Sequence, residues 1–146
     1  IGGVIARADV MDSIEANSIS TFGGNPLVMA GALANLDYML DNDLQTNALK
    51  VGNRLMQSLV PLSEELEVIG EVRGKGLMIG LELVKSDGAP SPEAASAVLE
   101  AAREEGLLIG KGGLYGNSLR LAPPLSITEE EADEGIARLE RALRKT

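Results

Sequence analysis

Leu66-Glu67-Val68-Ile69-Gly70-Glu71-Val72-Arg73, then Gly74-Lys75-Gly76, then Leu77-Met78-Ile79-Gly80-Leu81-Glu82-Leu83 reads as two alternating runs joined by a glycine-flanked link, the pattern of a β-hairpin. Leu66, Val68, Gly70 and Val72 alternate with Glu67, Ile69, Glu71 and Arg73 on the outgoing run. Leu77, Ile79, Leu81 and Leu83 form the apolar face of the return. An antiparallel pair with one wet face must cover the other, and the flanking sequence supplies helices to do so.

Upstream, Leu44, Ala48, Val51, Leu55, Leu59 and Leu62 repeat at helical spacing, with Pro61 near the end of the run. Asp41-Asn42-Asp43 separates this helix from an earlier one, in which Met29, Leu33, Leu36 and Leu40 form one stripe and Leu27, Val28, Ala32 and Met39 another. A helix apolar nearly all round is covered on several sides, which implies a partner surface. It starts from a polar loop, Ser18-Ile19-Ser20-Thr21-Phe22-Gly23-Gly24-Asn25-Pro26, where Asn25 suits the N-cap and Pro26 the first helical position. Ser18, Ser20 and Thr21 place hydroxyls beside that helix N-terminus. Two readings stand: an anion site, or only a tight turn and a cap. Before the loop, residues 9–15 read as a short helix and Ile1-Gly2-Gly3-Val4-Ile5-Ala6 as a buried strand.

Downstream, Asp87-Gly88-Ala89-Pro90-Ser91-Pro92 is a loop that closes on a Ser cap with Pro at the first helical position. The helix it opens keeps Ala95, Val98, Leu99 and Ala102 inside and stops at Gly106. Leu107-Leu108-Ile109 reads as a short strand, residues 110–117 as a glycine-rich loop and Ser118-Leu119-Arg120-Leu121-Ala122 as a strand ended by Pro123-Pro124. The last helix opens with a capping box, Thr128 and Glu131, and buries Ala132, Ile136, Leu139 and Leu143. The element order predicts an α+β two-layer sandwich, a small, mainly antiparallel sheet with helices on one face, preceded by a long connecting helix.

Composition narrows the chemistry. With 146 residues the chain holds one domain with a real core, and a net charge of −9 argues against a nucleic-acid or anionic-membrane surface. Zero His and zero Cys remove the commonest general base, thiol catalysis and the usual metal ligands, so no metal site is expected. No apolar run approaches the ~18 residues needed to span a bilayer, and a soluble, cytoplasmic setting is expected. Residues 110–116 lack the Gly-x4-Gly-Lys-Ser/Thr phosphate loop and open no helix. Arg120 sits within a short apolar strand beside that loop. It is either the solvated outer face of the strand or a fork of donors for a carboxylate. Arg73, beside Gly74-Lys75-Gly76, has the weaker case and reads as a solvated hairpin end.

Four blocks then carry a resemblance: Ile1-Gly2-Gly3-Val4, Thr21-Phe22-Gly23-Gly24-Asn25-Pro26, Arg73-Gly74-Lys75-Gly76-Leu77-Met78-Ile79-Gly80 and Leu119-Arg120-Leu121-Ala122-Pro123-Pro124-Leu125. In order and spacing they resemble class III aminotransferases, pyridoxal-phosphate (PLP) enzymes of fold type I that include acetylornithine, 4-aminobutyrate and alanine–glyoxylate aminotransferases. Residues 108–117 are most similar to the alanine–glyoxylate type. The resemblance implies transfer of an amino group between an amino acid and a 2-oxo acid in a homodimer with shared active sites. It assigns the substrate α-carboxylate to Arg120, and the cofactor phosphate of the neighbouring subunit to Thr21 with Ser20 alongside. It divides the chain into the end of a large cofactor-binding domain (1–25), a connecting helix (26–42) and a C-terminal small domain (43–146). The family's Schiff-base lysine precedes the block matching Ile1-Gly2-Gly3, so by resemblance this chain holds no catalytic residue and is inactive alone. The alternative expectation is an autonomous, non-catalytic binding or assembly domain of the same fold.

Overall fold

A computed structural model describes residues 1–16 and 19–146. The chain divides into two compact units, Ile1–Asn42 and Asp43–Thr146.

In the first unit, α1 (Ala8–Met11) and α2 (Pro26–Asp41) are the regular elements. Asn25 caps α2 as its sequence requires: its side chain accepts from Val28 N–H at 3.0 Å and donates to the Phe22 carbonyl at 2.7 Å. Two expectations fail here. The predicted strand over residues 1–6 is irregular and exposed, since a lone strand forms no ladder to satisfy its backbone. The helix predicted over 9–15 is only four residues long. Ser13 Oγ donates to the Val10 carbonyl at 2.7 Å, and such local side-chain bonds compete with helix continuation. No residue of α2 is fully buried, and only Ala32 and Met39 are half-buried.

The second unit contains α3 (Leu44–Glu65), β1 (Ile69–Lys75), β2 (Met78–Leu83), α4 (Pro92–Glu104), β3 (Gly110–Gly112), β4 (Ser118–Leu121) and α5 (Glu129–Arg144). The four strands form one antiparallel sheet in the order β1-β2-β4-β3. This is the expected α+β architecture. Ile79, Leu81, Leu83 and Leu119 turn to the helices and pack with Val51, Leu55 and Leu59 of α3, Ala95 and Val98 of α4, and Leu139 and Leu143 of α5. With aromatics at 2%, the core is aliphatic throughout.

The hairpin alternation is broken once. The register shifts between Ile69, which faces Leu83, and Glu71, which faces Glu82. This bulge at Gly70 lets Ile69 and Val72 both face the core although two residues lie between them, a spacing that regular alternation would send to opposite faces. A side chain at position 70 would strike Val84 Cγ1 at 2.7 Å, so the bulge needs its glycine.

The strand expected at 107–109 is corrected to β3 at Gly110–Gly112. The Leu107 amide is spent closing α4, donating to the Ala102 carbonyl at 2.8 Å, while Gly106 (φ +75°) donates to Arg103. That is a Schellman cap, and strand pairing starts only beyond it. The turn that joins β3 to β4 is anchored by Asn117, 1% exposed. Its side chain donates to the Leu83 carbonyl at 2.9 Å and to Glu82 Oε1 at 3.3 Å.

Candidate functional site

The open face of the sheet carries one row of residues directly opposite one another on successive strands. Arg73 on β1 faces Gly80 on β2, Gly80 faces Arg120 on β4, and Arg120 faces Gly110 on β3. Strand alternation puts this row on the face away from the helices, because Leu119 on β4 and Ile79 and Leu81 on β2 are buried. Two arginines therefore stand on one surface with a side-chain-free glycine between them.

Their electrostatic situations are opposite. Arg73 Nη1 donates to Glu71 at 2.5 Å and to Glu82 at 2.8 Å. The bond from Arg73, reinforced by Asn117, holds the Glu82 carboxyl below its ordinary range. Arg73 is thus committed to structure, in line with the hairpin-end reading. Arg120 is exposed, and among the described residues it makes no side-chain hydrogen bond or ion pair. Each of the other seven arginines has a carboxylate partner. In a chain with 22 acidic residues, one arginine without a carboxylate on a central strand is a fork of donors left for something else.

Beside Arg120 lies a cleft of about 360 Å³, lined chiefly by apolar groups including Leu108, Ile109, Leu121, Ile127 and Ile136. Its one acidic residue, Glu131, is occupied by the capping box, accepting from Thr128 N–H at 2.9 Å. The nearby lysine is also committed: Lys111 Nζ donates to Ser96 Oγ at 2.6 Å and to the Pro92 carbonyl at 3.1 Å.

Several other charges hold elements together. Arg54 spans Asp133 and Glu129, and Lys50 joins the same group. Lys145 and Arg141 hold the Glu105 carboxyl at about 2, while Arg138 donates to the Glu105 carbonyl at 2.9 Å and so caps the end of α4. Among the described residues no cluster of acidic groups could hold a metal ion, and no helix is long and apolar enough to cross a membrane.

Ser20 and Thr21 belong to the other unit, in the turn that leads to α2. Gly23 N–H donates to the Ser20 carbonyl at 3.1 Å, and Gly24 takes φ +69°. Both hydroxyl residues are exposed. Ser18 lies outside the described residues. Asn25 takes one of the helix's free N–H groups, accepting from Val28 through its side chain, while its carbonyl accepts the first intrahelical bond, from Met29. Asn117 and Gly110 had no role in the sequence reading. The one signal that could have marked Asn117 is an amide directly after the turn glycine Gly116.

Comparison with known proteins agrees with this architecture. The class-III aminotransferase family model matches residues 1–143. The chain is 40% identical to an alanine/serine racemase of Pyrococcus horikoshii, over 100% of this chain and 31% of the relative. It is 36% identical to an alanine–glyoxylate aminotransferase 2 homologue of Arabidopsis thaliana, over 99% and 31%. An amine transaminase from an uncultivated Pseudomonas species, solved in its PLP-bound form, superposes with a TM-score of 0.78 at 39% identity, over 92% of this chain and 30% of that one. The chain belongs to the class III aminotransferase family. It spans about a third of the length of the relatives it matches.

Proposed function

We propose that this chain is the C-terminal third of a PLP-dependent transaminase that moves an amino group between an amino acid and a 2-oxo acid, with alanine and glyoxylate as the favoured pair. Residues 1–25 close a large cofactor-binding domain, 26–42 connect, and 43–146 form the small domain. The observation that carries the reading is the uncommitted Arg120 fork on a row whose two flanking positions are glycine. Such a fork grips a planar carboxylate by two parallel bonds and fixes its orientation as well as its position. PLP, when bound, supplies the electron sink that lets the amino group be taken up and handed on. The chain's own part is to hold the α-carboxylate on Arg120 and to keep Glu82 and Lys111 out of the way by engaging them elsewhere.

The donor set before α2 fits a phosphate: two exposed hydroxyls, Ser20 and Thr21, beside a glycine turn. In this reading they bind the cofactor phosphate of the neighbouring subunit in a cytoplasmic homodimer. Mixing intact subunits bearing Thr21→Val with subunits whose Schiff-base lysine is replaced should restore one wild-type site per heterodimer. Absence of recovery overturns the cross-subunit assignment.

The 40% identity to an alanine/serine racemase favours a second reading, since a racemase needs the same carboxylate grip. One assay separates the readings. The intact protein is expected to convert L-alanine and glyoxylate into pyruvate and glycine, while the 146-residue chain alone gives neither product. Formation of D-alanine without an acceptor would replace the transaminase by the racemase. Neither activity would leave a non-catalytic binding or assembly domain.

A further inference from the structure

The two glycines that flank Arg120 are not equivalent. A Cβ at Gly80 would meet only the Leu119 carbonyl, at 3.8 Å, whereas a Cβ at Gly110 would lie 3.3 Å from Arg120 Nε and 3.5 Å from Nη2. The guanidinium therefore lies against the bare backbone of β3, and the Gly80 side is open. Neither glycine has a positive φ, so backbone conformation does not demand glycine at either place.

We propose that Gly110 is a positioning residue for substrate recognition: by carrying no side chain beneath Arg120 Nε, it sets the guanidinium so that a carboxylate is taken from the Gly80 side. This rests on the reading of Arg120 as the carboxylate fork. A bidentate pair tolerates only about 0.5 Å and 10–20° of error, and a methyl group at 3.3 Å pushes a flexible side chain by a few tenths of an ångström. The Asp43–Thr146 unit should absorb that push without unfolding, because the group that moves is the free end of an exposed arginine.

The first test uses the 146-residue chain without any ligand. The Nε–Hε resonance of Arg120, assigned by its loss in Arg120→Lys, should shift in Gly110→Ala. It should stay in place in Gly112→Ala, where a Cβ would have no atom within 4 Å. In the intact enzyme, Gly110→Ala should raise KM for L-alanine about 5-fold with kcat nearly unchanged, a modest share of the ~100-fold that a 1 Å misplacement can cost. KM for isopropylamine, which lacks a carboxylate, should not move. In an Arg120→Lys background Gly110→Ala should add nothing, since a compact ammonium does not lie flat on β3. Thermal melting of each variant, with Gly110→Ser as a second replacement, separates misplacement from misfolding. An unshifted resonance, or an unchanged alanine KM while Arg120→Lys raises it, overturns the positioning role and leaves the carboxylate reading intact. Equal effects of Arg120→Lys on both amines overturn the carboxylate reading and the positioning role together.

Discussion

Arg120→Ala in the intact protein is expected to weaken use of an α-amino acid by on the order of 2–5 kcal/mol, the range for removing one member of a hydrogen-bonded charge pair that binding has desolvated. The same variant should handle isopropylamine almost as the wild type does, because that donor offers nothing for the fork to hold. The ratio of kcat/KM for the two donors isolates the carboxylate contribution, since any general damage to the sheet cancels in it. Arg120 is exposed and free of carboxylate partners among the described residues, so its removal breaks no internal ion pair and folding should be unaffected. Arg120→Ala losing both donors equally would show that the arginine is only the outer face of β4. The expectation differs for Arg73→Ala. That change leaves Glu71 and Glu82 without their shared partner, and it should act on hairpin stability with no preference between donors.

Gly52→Ala is expected to be the most damaging small change in the Asp43–Thr146 unit. A Cβ on α3 at this position would stand 2.2 Å from the Gly76 carbonyl oxygen and 2.4 Å from its carbon. Gly76 cannot easily withdraw, because it turns the hairpin link in the left-handed region at φ +56°. Overpacking costs up to ~3 kcal/mol, and alanine regains at most ~1 kcal/mol of helix propensity, leaving a net loss of about 2 kcal/mol. For a unit of this size that is a drop in Tm of roughly 8–16 °C. Gly135→Ala on α5 is the matched control, since a Cβ there meets no atom within 4 Å and only the propensity gain remains. A Gly52→Ala chain that melts with the wild type would mean that α3 does not rest on the hairpin link.

The parts of the molecule legible from sequence are those governed by local rules. Asn25, Ser91 and the Thr128–Glu131 box cap their helices as their spacing demands, and Gly106 ends α4. The errors come where a distant partner decides. Ile69 falls on the polar side of a strict alternation, and only pairing with β2 reveals the bulge that turns it inward. Leu107-Leu108-Ile109 has strand composition, yet its first amide is claimed by the helix behind it and Leu108 stays 88% exposed. Residues 1–6 have the composition of a strand without a neighbour to pair with. For the site, Arg120 could be singled out because a charge interrupts an apolar strand. Its lack of a carboxylate partner among the described residues, and the glycine beneath it, depend on strand order, which no local pattern encodes. The phosphate role proposed for Thr21 and Ser20 rests on family resemblance, since their hydroxyls alone would equally make a turn.

The strand order has a further effect on how this unit behaves in solution. With β2 and β4 in the centre, the sheet's two margins are β1 and β3, each with a row of backbone groups that another chain could extend. Both margins are poor templates. β1 is interrupted by its bulge and carries Glu71, Arg73 and Lys75, while β3 is only three residues, two of them glycine. A foreign strand would find charge and irregular spacing on one side and too short a ladder on the other. Gly110, which leaves room for the arginine, is also one of the three residues of this short margin.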